Sequence, residues 1–233
     1  MTPARYGHLY ARYAAAYVRG LALRSQVDLP VSLSERPLDE LSDEELGAIL
    51  AAGQAAGVRL YRFKNTHDDL PRVKRVLGFL RSVQVGSLLD VGSGRGVFLW
   101  PCLNAFPWWR VTSVDLLPHR VEMINTVRDG GVANLSGVVG DICSLNLPES
   151  YDVVTLLEVL EHMPEPSLAV EAAVRLAGKH VVVSVPSKPD NNPEHLHLLT
   201  KDRLTELFGR AGCTRLSFDG VPGHLIMIAT VGS

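Results

Sequence analysis

Residues 88–96 read Leu-Leu-Asp-Val-Gly-Ser-Gly-Arg-Gly, an apolar run that ends in an aspartate and breaks into a loop with three glycines. No feature of the chain constrains its fold more. A strand must stop there, because closely spaced glycines weaken regular structure and serve where backbone approaches a ligand. Val97, Phe98 and Leu99 then restart an apolar segment, so the loop is a strand-to-helix turn. Open α/β sheets bind nucleotide-like ligands at such turns. Gly92, Gly94 and Gly96 give G-x-G-x-G, whereas a dinucleotide loop wants its third glycine where this chain has Val97. That spacing counts against a nicotinamide oxidoreductase.

From Gly86 onward, strand and helix patterns alternate. Strands are expected at Ser87–Val91, Val111–Asp115, Gly137–Gly140, Asp152–Leu157 and His180–Val185, with two more near Arg215–Phe218 and Leu225–Ala229. Helices are expected near Val97–Phe106, His119–Arg128, Ser167–Ala177 and Lys201–Ala211. The alternation predicts an α/β fold: a Rossmann-like, mostly parallel seven-stranded sheet with helices on both faces and an antiparallel edge hairpin. Pro101 inside the first of these helices predicts a kink.

Residues 1–85 read instead as a helical N-terminal extension, a cap preceding the domain expected over 86–233. Tyr6–Leu23 is rich in alanine and aromatic residues. Ser42-Asp43-Glu44-Glu45 is a capping box, with Gly57 closing its helix. Asp69 can cap a third helix that has Pro71 in its first turn. Charge changes at the same boundary: residues 1–85 carry 12 Lys and Arg against 9 Asp and Glu, and residues 86–233 carry 11 against 16.

The net charge of −2 gives no general basic footprint, which makes nucleic acid an unfavoured partner. Cys102, Cys143 and Cys213 lack metal or disulfide spacing, and no run has signal or membrane-spanning character. A soluble cytoplasmic protein with reduced thiols is expected, and its oligomeric state is left open.

Four motifs fall in one order along residues 86–233. The Asp90–Gly96 loop comes first. Val114-Asp115 ends the second strand about twenty residues on, and Gly140-Asp141-Ile142 closes the third. Tyr151-Asp152-Val153-Val154 then leads to Glu158-Val159-Leu160-Glu161-His162. Together they resemble the class I S-adenosylmethionine-dependent methyltransferases, including those of quinone biosynthesis. The resemblance implies S-adenosylmethionine as cofactor and S-adenosylhomocysteine as product. It places Gly92, Ser93, Gly94, Gly96 and Leu116 on the cofactor, Asp115 at the ribose, and Asp141 and Ile142 at the adenine. Asp90 would partner the methionyl ammonium directly or through water, and Glu158 would lie near that end.

The acceptor is less legible. Methyl transfer needs a nucleophile aligned in line with the sulfonium carbon and, for a neutral hydroxyl or amine, a base. His162, His195 and His197 follow the fourth and fifth strands and are the candidates; the ordinary reading of each is a hydrogen-bonded structural histidine. Glu158, Glu161 and His162, spaced to share a helical face, offer with His195 or His197 an alternative oxygen/nitrogen metal site. That set is similar to the metal site of small-RNA 3′-terminal 2′-O-methyltransferases, a resemblance that puts His195 at the ligand position. Their aromatic-acidic-Trp stretch is replaced here by His197-Leu198-Leu199. The basic residues between Arg59 and Arg81 offer either a hold on an anionic acceptor or a solvated helix face. Trp100, Trp108 and Trp109 divide likewise between core and acceptor wall. The expected function is methyl transfer to an oxygen or nitrogen of a small molecule. Alternatives are a metal-assisted RNA 2′-O-methyltransferase and a non-catalytic cofactor-binding or regulatory subunit.

Overall fold

The computed structural model describes residues 6–147, 150–189 and 191–232. Seven strands form one sheet: β1 Ser87–Val91, β2 Arg110–Asp115, β3 Leu135–Val139, β4 Tyr151–Leu157, β5 Ala177–Pro186, β6 Arg215–Val221 and β7 His224–Thr230. Their order is β3-β2-β1-β4-β5-β7-β6. The first five run parallel, and β7 enters antiparallel between β5 and β6. The order reverses between β1 and β4, which opens a crevice at their carboxyl ends, above the glycine loop.

Side-chain alternation divides the core in two. Leu88, Val111, Val153, Val182 and Ile226 face one side, where they meet α4 (Pro71–Arg81), α5 (Leu99–Ala105) and α6 (Pro118–Asp129). Leu89, Val114, Val154, Val181, Val183 and Met227 face the other, covered by α7 (Pro166–Leu176) and α8 (Lys201–Arg210). Strands buried on both faces read as near-continuous apolar runs, which is why their positions were legible.

The extension adds α1 (Ala11–Ala22), the single turn α2 (Val31–Ser34) and α3 (Asp43–Ala55). It joins the first of the two cores, with Tyr13, Val18, Ile49 and Phe63 in one cluster with Trp100 and Ile124. The capping box is present, Ser42 and Glu45 each accepting from the other's backbone N–H. Contact with α6 is close enough that a Cβ on Gly20 would collide with the Thr126 carbonyl.

Three local expectations are corrected. The helix after the glycine loop starts at Leu99 rather than Val97, so Pro101 sits in its first turn, where its missing N–H costs nothing and no kink results. Leu70, not Asp69, is the N-cap of α4, and Asp69 pairs with Lys74 at 3.1 Å. The first helix starts at Ala11, since a bridge between Leu9 and Lys64 holds residues 6–10 against the segment before α4. No helix of the described residues is long and apolar enough to cross a membrane.

Candidate functional site

Carboxylates stand at successive strand tips, and each is held differently. Asp90, at the end of β1, is buried and turned inward: Thr155 Oγ1 donates to its Oδ1 at 2.7 Å and Ser93 Oγ to its Oδ2 at 2.5 Å. Burial pushes its carboxyl up to about 6, against the pull of those two hydroxyls. Ser93 Oγ also lies 2.6 Å from Ser113 Oγ, so the glycine loop is tied to the ends of both β1 and β2. Asp90 therefore shapes the loop from below.

Asp115 ends β2 and is 4% exposed. Its Oδ1 accepts from Leu117 N–H at 3.0 Å, and its Oδ2 accepts from Gly94 N–H at 3.1 Å and from the Arg120 guanidinium at 3.4 Å. The glycine loop is thus drawn over the second strand tip. Gly92, Gly94 and Gly96 all have positive φ, and a Cβ on Gly96 would collide with the Trp100 indole. Trp100 in turn donates to the Arg95 carbonyl at 3.1 Å. Leu116 is exposed beside Asp115, while Ile142 is buried in the second core. Asp141, exposed after β3, accepts from Cys143 N–H at 2.9 Å, and burial together with Asp141 pushes the Cys143 thiol up to about 11.

The segment after β4 departs from the expected geometry. Glu158 has φ +58°, a left-handed conformation uncommon for a non-glycine residue, so it does not share a helical face with Glu161 and His162. Its carboxylate accepts from Ser184 Oγ at 2.6 Å and pairs with His224 Nε2 at 3.2 Å, away from the other two residues. The proposed four-residue metal set is corrected accordingly: Glu161, His162 and His195 gather with ligand atoms within 4.8 Å of one another, and Glu158 is outside. Val159 packs on the glycine loop, its Cγ2 2.8 Å from where a Cβ on Gly92 would stand.

Two of the three candidate bases come together. The His162 and His195 rings meet edge to face at 4.8 Å. His162 Nδ1 lies 3.0 Å from the Glu194 carbonyl oxygen, which can only accept. In the neutral ring the proton sits on Nδ1, leaving the Nε2 lone pair free. His197 instead turns its Nε2 to the Pro164 carbonyl at 3.3 Å and lies outside the cluster.

Ser184, His224 and Arg120 were missed by sequence reasoning. His224 opens β7 immediately after a Pro222-Gly223 turn, a pattern visible in sequence, but its neighbours depend on β7 lying against β5. The tryptophans separate cleanly: Trp100 and Trp109 are core, and Trp108 is 73% exposed at the opposite, amino end of the sheet. A recess of about 620 Å³ lies at that end, lined by Gln84, Trp108, Asp152 and Lys179, far from the strand tips that carry the motifs. In the basic segment, Lys74 and Arg75 pair with Asp69 and Asp219, and Arg62 reaches Met123 Sδ at 3.3 Å.

A family model described as "Methyltransferase domain" matches residues 62–217. The chain belongs to that family, within the class I S-adenosylmethionine-dependent methyltransferases. Among curated relatives, the ubiquinone biosynthesis O-methyltransferase of Pseudomonas putida (strain W619) is 29% identical over 116 residues, 49% of each chain. The chain thus matches about half the length of such relatives. Solved structures agree on the fold. Magnesium protoporphyrin IX methyltransferase (ChlM) from Synechocystis PCC 6803, with bound SAH, has a TM-score of 0.56 at 18% identity, covering 69% of this chain and 82% of its own. CalS10, an amino pentose methyltransferase from Micromonospora echinaspora, has a TM-score of 0.55 at 18% identity over 72% of this methyltransferase and 92% of its own chain.

Proposed function

We propose that this methyltransferase moves a methyl group from S-adenosylmethionine to an oxygen or nitrogen of a small-molecule acceptor, releasing S-adenosylhomocysteine. The reading is carried by the arrangement at the carboxyl ends of the strands. A left-handed glycine loop is held to Asp115, Asp141 follows the next strand, and the His162–His195 pair stands beyond β4. The loop leaves backbone room for the donor, Asp115 faces its ribose hydroxyls, and Asp141 with Ile142 borders its adenine. The chemistry needs little more than alignment. The sulfonium methyl is already electrophilic, so the site holds a nucleophile in line with it and removes one proton. His162, with Nε2 bare, is the base, and His195 is its neighbour. Similarity to the ubiquinone biosynthesis O-methyltransferases supports oxygen over nitrogen. An N-terminal segment packed beside the glycine loop supports a role for residues 1–85 in bounding the acceptor.

The test has two parts. S-adenosylmethionine and S-adenosylhomocysteine at millimolar excess should raise the melting temperature, and failure of both ends the reading. Release of S-adenosylhomocysteine is then followed across hydroxylated aromatics, amino sugars and short RNAs. The gathering of Glu161, His162 and His195 favours a second reading, in which a divalent cation held there orients acceptor hydroxyls. Turnover unchanged in excess EDTA removes it.

A further inference from the structure

The ribose carboxylate is already occupied. A carboxylate offers about four lone-pair sites. Three of those on Asp115 are filled, by Leu117 N–H, Gly94 N–H and the Arg120 guanidinium. A ribose whose two hydroxyls both donate to this carboxylate needs two sites. One present donor must therefore leave. The two amides are fixed by the loop and by the N-cap position of α6, so neither can withdraw without undoing local structure. Arg120 is different: it is a long side chain, 37% exposed, making one bond near the upper limit of a hydrogen bond. Its Nη1 also lies 3.8 Å from the Cβ position of Gly94, so the guanidinium lies across the gap between the glycine loop and the second strand tip.

We propose that Arg120 is a positioning residue of the donor site, one that competes with the ribose hydroxyls for Asp115 and is displaced when the donor enters. Its contact keeps a nearly buried carboxylate paired with a cation, because an unpaired buried charge is costly. On binding, the ribose hydroxyls replace it and the guanidinium moves out into solvent, to which it is already open. Arg120 thereby sets how tightly donor and product are held without contacting the methyl group. The inference rests on the proposed donor site and concerns only its ribose end.

Calorimetry with S-adenosylhomocysteine on the full chain tests it. Arg120→Gln should bind the product about five-fold more tightly than wild type, the scale of one half-exposed ion pair no longer in competition. Raising salt should strengthen wild-type binding, because screening weakens the competing pair, and should leave Arg120→Gln flat. In an Asp115→Asn background, Arg120→Gln should change affinity much less, since the two residues then no longer pair. Equal or weaker product binding by Arg120→Gln overturns the proposal and assigns Arg120 to the bound state or to the surface. Absence of product binding by wild type instead defeats the donor-site reading itself, so the two failures are separable.

Discussion

At the scale of single residues, the site separates groups that shape the loop from groups that face open space. Asp90 belongs to the first kind. Its folded carboxyl is raised from 3.8 to about 6, so the native state holds the proton more strongly than the unfolded chain does. The stability that this contributes is present below about pH 4 and lost as pH rises through about 6, on the order of 3 kcal/mol. Asp90→Asn should remove that dependence. Its stability relative to wild type, from urea denaturation between pH 4 and 7.5, should rise across the window, and a constant difference would contradict the buried charge. The histidines belong to the second kind. His162→Ala and His195→Ala should each lower turnover by about 10²-fold or more while leaving product affinity unchanged, and His197→Ala should stay near wild type. Wild-type rates for all three variants would leave alignment as the sole catalytic device. The identities of these residues were legible in sequence. The partners of Asp90, Ser93 and Glu158 were not, because Thr155, Ser113, Ser184 and His224 reach them from other strands, away in the chain.

At the scale of elements, packing overrides local preference where helices cross closely. Gly20 lies inside α1, where alanine is favoured by about 1 kcal/mol on propensity alone. At this position a Cβ meets the Thr126 carbonyl of α6. Gly20→Ala should therefore destabilise, by about 1–3 kcal/mol, reversing the sign that propensity predicts. Denaturant midpoints check it; a stabilised variant would show that the two helices separate freely. The same competition explains the misread boundaries. Val97 and Phe98 are apolar and look helical, but the glycine loop continues past Gly96, whose φ of +82° delays the start of α5. Glu158 looks as though it belongs to the helical turn that follows. The bond from its N–H to the Ser184 carbonyl at 2.9 Å instead continues the strand ladder to a residue in left-handed backbone.

At the scale of the whole molecule, the extension and the sheet share one apolar cluster, in which Phe63 lies 4.9 Å from the Trp100 ring and Tyr13 6.1 Å from it. Calorimetry should show one cooperative transition, and product binding should raise it as a unit. Two resolved transitions would mean that residues 1–85 unfold independently. The sequence by itself determined the strands, the mostly parallel character of their sheet, the glycine loop and the acid at each strand tip. All of these are set by apolar runs, by glycine spacing and by residues close together in the chain. Only the tertiary structure decided that β7 enters between β5 and β6, bringing His224 to Glu158, that Arg120 lies on Asp115, and that Glu158 leaves the company of Glu161 and His162. Those contacts join distant strands or turn on side-chain direction at a strand tip, and no local pattern encodes either.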